Sequence, residues 1–346
     1  MIGDVVANKY TITEKLGSGN FGTVFKGEHI KHKTPVAMKM ELATNECNTI
    51  KYETTILNYL YTNGCRVVPA VIWYGIYGDY KCLTMDYYNQ TIDQYIALVR
   101  EKYTGSPLDY LKQIIKIIIN MVSIIGNVHR HQIIHRDIKP ENFMLKNTEL
   151  YLIDFGIASA VPHVSEINTE PDRDTVIGSP KYISYYVHSG YEPMYRDDLI
   201  SIGYCFFYFF LGKLPWDSLV DSSVHYSRDI NLPQIHLLHE KNQLRKKWKQ
   251  LNNIEKIMQN IMQPNLDIAR LSGHDISHNF HPEKLLRSIP RAGETSNSGG
   301  RNELQNCHYT LYNDIYKNIF EYFELCYSLH VNDRPFYDEL IQVLRK

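Results

Sequence analysis

The spacing of apolar residues changes period once along this chain, near residue 90, and that change restricts the folds open to it. Before it, short runs alternate apolar and polar positions, the pattern of half-buried strands. Residues 10–16 and 23–27 alternate in this way on either side of Gly17-Ser18-Gly19-Asn20-Phe21-Gly22, a hairpin signal. Residues 36–41, 71–74 and 81–85 read as three further strands. One helix interrupts them: residues 48–61 place Ile50, Thr54, Leu57 and Leu60 at helical spacing and stop at Asn63-Gly64. Beyond residue 91 the helical period takes over. Residues 108–131 carry apolar side chains on more than one side, so that helix is expected to be deeply buried. Residues 199–211, 314–329 and 336–344 also read as helices, and 143–145 and 151–153 as short strands. A strand-rich first part and a helical remainder make an α+β chain.

A chain of 346 residues buries a substantial core and suits two domains or one large two-lobed one. With 37 Lys+Arg against 38 Asp+Glu, bulk positive charge is excluded as a way of holding nucleic acid. Six cysteines without a C-x-x-C pair speak against a disulfide framework and for a reducing compartment. The first ten residues lack a basic start and a long apolar core, so no secretion signal is read there. The apolar run 199–211 is too short to span a bilayer. The expectation is an intracellular protein, cytoplasmic or nuclear, acting as a monomer away from membranes.

The chemistry lies in four short motifs. Gly17, Ser18, Gly19 and Gly22, followed by Val24, form G-x-G-x-x-G-x-V between two strands. A dinucleotide-binding loop would open a helix, so here the glycines are read as letting backbone fold over phosphates. Val36-Ala37-Met38-Lys39 ends an apolar strand on a lysine, and Glu53 in the following helix is placed to pair with it. That pair would hold the amine over the α- and β-phosphates. Then come His135-Arg136-Asp137-Ile138-Lys139-Pro140-Glu141-Asn142 and Asp154-Phe155-Gly156. One carboxylate to take a proton from a hydroxyl, one ammonium to neutralise charge, and an amide with a second carboxylate for a metal are the groups phosphoryl transfer needs.

These motifs, in this order, resemble the eukaryotic protein kinases over nearly the whole chain. Within them the chain is most similar to the casein kinase 1 family: Gly178-Ser179-Pro180-Lys181-Tyr182-Ile183-Ser184 stands where other kinases carry A-P-E, followed by Arg196-Asp197-Asp198 and Leu214-Pro215-Trp216. The resemblance implies a bilobal fold, with a β-rich N-lobe over residues 1–86 and a mainly helical C-lobe over 87–346. Roughly 221–307 would be an insertion. It implies ATP and Mg²⁺ as cofactors and protein substrates phosphorylated on Ser or Thr, possibly acidic ones. Asp137 would be the catalytic base, Lys139 the γ-phosphate contact, Lys39 and Glu53 the phosphate-holding pair, and Asn142 and Asp154 the Mg²⁺ ligands. Val24 and Ala37 would roof the adenine over Met144, with Met85 as gatekeeper before the hinge from Asp86 to Tyr88. Asp198 would anchor the catalytic-loop backbone. Two alternatives keep this fold: a catalytically silent binding module, against which all the motif residues speak, and the neighbouring vaccinia-related kinases, against which Arg136 speaks.

Some features depart from the family. Its members read acidic or phosphorylated substrates with a basic cluster, of which Arg136 and Lys181 remain here while Asp174 takes a usually basic place. A reduced or altered preference for phosphorylated substrates follows. Ser159, Ser165, Thr169 and Thr175 are candidate phosphorylation sites, although the family commonly works without that switch. The basic run Lys241, Arg245, Lys246, Lys247 and Lys249 reads as a solvated helix face, and His274, Asp275, His278 and His281 as a solvated loop.

Overall fold

The computed structural model describes residues 1–19, 22–44, 48–162, 171, 176–217, 232–262 and 299–346. Ser165, Thr169, Asp174, Thr175 and the His274, Asp275, His278, His281 group lie outside the described residues. The chain forms two compact units, one of Met1–Tyr95, Ile124–His135 and Pro140–Val161, the other of Ile96–Ser123, Arg136–Lys139 and Pro162–Lys346.

The first unit is built on an antiparallel six-stranded sheet. Its strands are β1 (Val5–Val6), β2 (Tyr10–Gly19), β3 (Gly22–His29), β4 (Pro35–Leu42), β5 (Val71–Tyr77) and β6 (Tyr80–Asp86), in the order β1-β2-β3-β4-β6-β5. Strand alternation decides what each face carries. On β4, Val36, Met38 and Met40 enter a core with Val6, Tyr10, Ile12, Phe25 and Cys82, which puts Ala37 and Lys39 on the opposite face. Helix α1 (Thr49–Thr62) packs against β4, β5 and β6 through Ile50, Glu53, Thr54, Ile56, Leu57 and Leu60. Its start has no cap from its own chain neighbour Asn48; instead Glu41 on β4 accepts from Thr49 Oγ1 at 2.6 Å and from the Ile50 N–H. It ends where Asn63-Gly64 predicted, with Gly64 in the left-handed region. The short strands β7 (Gln90–Thr91), β9 (Phe143–Lys146) and β10 (Glu149–Leu152) form a second sheet, and β8 (Ile133–Ile134) pairs with β11 (Ser159–Ala160).

The second unit is helical. Between the units' segments run α2 (Ile92–Lys102) and α3 (Pro107–Arg130); the others are α4 (Tyr185–His188), α5 (Tyr195–Leu211), α6 (Leu232–Trp248), α7 (Leu251–Met262), α8 (Gly299–Ser328) and α9 (Tyr337–Arg345). Among the described residues, one helix is long and apolar enough to cross a membrane, at Leu108–Arg130, and half of its apolar window is buried in the fold. The core of this unit is α5, buried on every side and joined to α8 by stacked Phe207 and Phe323 rings. Its first turn carries Arg196, Asp197 and Asp198, all buried. Such burial is costly unless each charge has partners. Asp197 accepts from the Ser184 hydroxyl and the Met194 N–H, and Asp198 accepts from the Arg136 N–H at 2.9 Å.

One expectation is corrected here. The run from Lys241 to Lys249 is not a solvated face throughout: Arg245 is 5% exposed and Lys249 0%. Lys249 follows α6, and its amine points inward, onto backbone carbonyls.

Burial raises the Asp197 pKa to about 6, against the pull of Arg196, Ser184 and the Met194 N–H. The folded state therefore binds this proton more tightly than the unfolded chain, and stability falls as pH rises between about 4 and 6. Relative to Asp197→Asn, which does not titrate, the wild type should lose roughly 2–3 kcal/mol of unfolding free energy from pH 4 to 7. Urea unfolding of both chains across that range measures this; a constant difference would refute it.

Candidate active site

The first unit holds a cleft of about 780 Å³, counting its open mouth. Strand geometry explains its walls. Gly19, Gly22 and Val24 come from the β2–β3 hairpin, Ala37 and Lys39 from the outward face of β4, and Met85, Asp86 and Tyr88 from the end of β6 and the segment after it. Met144 on β9, Asp154 and Glu53 complete the set of sequence-predicted residues. Gly17 and Ser18 are not among the lining residues; they remain in the strand ladder, opposite Val24 and Thr23. Leu16, Tyr87 and Ile153 also line the cleft. Leu16 and Ile153 each directly precede a motif residue, and their apolar character was the only signal that marked them.

Gly22 has no substitute. Its φ is +119°, and a Cβ there would lie 2.1 Å from the Met40 carbonyl oxygen on the neighbouring strand. The glycine lets β3 lie this close to β4.

At the inner end of the cleft, the Lys39 ammonium sits 2.7 Å from Glu53 Oε2 and 2.7 Å from Asp154 Oδ1. Glu53 Oε1 also accepts the Phe155 N–H at 3.1 Å, so helix α1 is tied to both the lysine and the Asp154-Phe155-Gly156 turn. Burial alone would lower the Lys39 pKa, but the two carboxylates outweigh it and hold the amine well above the usual lysine range. Burial raises Glu53, with Lys39 and the Phe155 N–H pulling the other way. Asp154 takes a left-handed backbone conformation, φ 65°, unusual for a residue with a side chain. That turn is held by its neighbours: Phe155 is fully buried edge-on against His135, whose Nε2 lies 2.9 Å from the Ile153 carbonyl. Asn142 closes a short 3-10 turn at Pro140–Asn142 and accepts the Ile153 N–H through its carbonyl. An amide oxygen and a carboxylate from these adjoining segments are hard oxygen donors of the kind Mg²⁺ prefers.

A second cluster lies in the other unit. Lys139 Nζ donates to Asp137 Oδ2 at 2.5 Å and to Ser179 Oγ at 3.1 Å, and the Ser179 N–H donates to Asp137 Oδ1 at 2.9 Å. Both carboxylate oxygens of Asp137 are thereby oriented by named donors. Arg136, before it, has φ 68°, and Gly178 approaches so closely that a Cβ would lie 2.4 Å from the Arg136 carbonyl. Ser179 escaped the sequence reading as a site residue because nothing in Gly-Ser-Pro marks a serine that bonds side chains some forty positions earlier.

Residues 10–280, well over half of the chain, match the protein kinase domain family. The chain belongs to the protein kinases, and its β-rich first part and helical remainder are the α+β fold of that family. ATP as phosphate donor and protein substrates come with that membership.

Removing the lysine leaves Glu53 buried without its counter-ion. Lys39→Met should cost roughly 3 kcal/mol of stability, and Lys39→Met/Glu53→Gln should regain at least about half, because the amide still accepts the Phe155 N–H. Chemical denaturation of the three chains checks this; a double variant no more stable than the single one would contradict it.

Proposed function

We propose that this chain is an active, casein kinase 1-like kinase that transfers the γ-phosphoryl of ATP to Ser or Thr hydroxyls of proteins. The observation that carries the reading is the Lys39 ammonium fixed by Glu53 and Asp154 inside a nucleotide-sized cleft. Lys39 would neutralise the α- and β-phosphates, and the loop of Gly19 and Gly22 would offer backbone N–H groups with no side chain in the way. Asp154 and Asn142 would hold Mg²⁺, which when bound offsets negative charge on the triphosphate. In the transfer, the substrate oxygen bonds to the γ-phosphorus, the bond to the β–γ bridging oxygen breaks, and ADP leaves. Asp137 takes the hydroxyl proton, and Lys139 offsets charge on the transferring group. Catalysis on this account is orientation and charge neutralisation.

Lys139 within Ile138-Lys139-Pro140-Glu141 supports a Ser/Thr acceptor, as the resemblance implied. The two cations that would read a phosphorylated substrate already have acidic partners. Arg136 lies 3.8 Å from Glu192, and Lys181 lies 3.2 Å from Asp217 and 5.0 Å above the Tyr208 ring. A paired cation attracts an added phosphate less strongly, which supports a weakened preference for phosphorylated substrates.

Radiolabelled ATP with casein tests the activity. Label should appear with the wild type and fall at least about a thousandfold with Asp137→Asn, since it removes the proton acceptor. Equal labelling of the two would mean that the chain binds without transferring.

On a peptide array, phosphoserine three positions before the acceptor should raise the rate only about two- to threefold, against a larger gain for Glu192→Gln, which removes an anion beside Arg136. A strong wild-type preference for the phosphorylated peptides would contradict the specificity reading while leaving the kinase reading intact.

A further inference from the structure

Residues 179–183 form a tight turn whose five successive carbonyls all have donors. The Tyr182 and Ile183 N–H groups reach back to the Ser179 carbonyl at 2.8 and 3.1 Å. Trp216 Nε1 donates to the Lys181 carbonyl at 2.8 Å, and Ser201 Oγ lies 2.8 Å from the Tyr182 carbonyl, a proton it shares with the Asp197 carbonyl. Lys249 Nζ serves the remaining two: it donates to the Pro180 carbonyl at 3.0 Å, which His188 Nε2 also approaches at 3.2 Å, and to the Ile183 carbonyl at 2.6 Å.

Lys249 is fully buried, and its Nζ also lies 3.1 Å from His188 Nε2. The rings of Tyr204 and Trp216 each stand 5.1 Å from the nitrogen. Burial, with Lys249 beside it, lowers the His188 pKa. Burial and Arg245 lower the lysine's own pKa, and Asp217 opposes them. The backbone of Lys249 is itself held, its carbonyl accepting from the Tyr327 hydroxyl at 2.6 Å. A polar group this deep is costly unless it is hydrogen-bonded, as this one is.

What it holds is the turn that begins at Ser179, whose N–H and hydroxyl orient Asp137 and Lys139. We infer that Lys249 is a positioning residue for phosphoryl transfer: by capping Pro180 and Ile183 it fixes the turn through which Ser179 holds the catalytic pair. The inference rests on the kinase reading above. It assigns a task to a side chain some seventy positions downstream, in a run whose sequence suggests a solvated surface. Pro180, Ile183 and His188, the groups Lys249 bonds, are not among the residues lining the cleft, so its loss should act on turnover and spare nucleotide binding.

The test uses the full chain with casein and ATP, and the non-hydrolysable analogue AMP-PNP for binding. Lys249→Met keeps the apolar stem, and Lys249→Gln, a milder change, keeps two N–H donors and decides the matter if the first does not fold. Either should lower kcat, by about thirtyfold for Met and less for Gln, with KM for ATP and AMP-PNP affinity unchanged within about twofold. Combined with Ser179→Ala, each should add little beyond the serine variant alone, because both act through one contact. Unchanged kcat in a folded variant, losses that multiply with Ser179→Ala, or a parallel loss of AMP-PNP binding would overturn the inference. A wild type that binds AMP-PNP but labels no casein would overturn the kinase reading, and this inference with it.

Discussion

One ammonium between two carboxylates organises the nucleotide end of this protein. Lys39 comes from a strand, Glu53 from a helix and Asp154 from a turn more than a hundred positions later, and the three meet at hydrogen-bond distance. Buried charges are tolerated only when paired, so the lysine obliges α1 and the Asp154 turn to stay where they are. The same demand explains the Phe155 N–H on the second oxygen of Glu53 and the left-handed backbone of Asp154. The cleft is in this sense the consequence of satisfying one buried charge.

The second unit obeys a related rule with backbone groups in place of ions. The segments around Asp137 and Ser179 are not regular secondary structure, so their polar groups find partners one by one: the Arg136 N–H on Asp198, Asp137 on Ser179 and Lys139, and the carbonyls after Ser179 on Trp216, Ser201 and Lys249. Irregular backbone persists in a protein interior only under such complete satisfaction. It also explains why α5, among the most apolar elements of the chain, opens on Arg196-Asp197-Asp198: these charges begin the helix where the segment needs partners.

Much of this was legible in the residues. The apolar run 36–41 marked the strand that carries Lys39, and the helical spacing of Ile50, Thr54, Leu57 and Leu60 marked the helix from which Glu53 pairs with it. What escaped was whatever depends on partners distant in sequence. A lysine among lysines reads as solvated, yet Lys249 answers to carbonyls at 180 and 183. Helix α8 starts at Gly299, well before the periodic stretch at 314, because Gly299-Gly300 carries a loop signature locally. The short strands β7, β8 and β11 are two residues each, too brief for any period to show.

The account stands most directly on how Mg²⁺ affects nucleotide affinity. Calorimetric titration of ATP into the wild type should show binding tightened at least about tenfold by Mg²⁺, and the Asp154→Asn chain should lose most of that gain while still binding ATP. Equal ATP affinity with and without Mg²⁺ in the wild type, or a Mg²⁺ effect untouched by the substitution, would show that Lys39, Glu53 and Asp154 do not assemble a metal–triphosphate site.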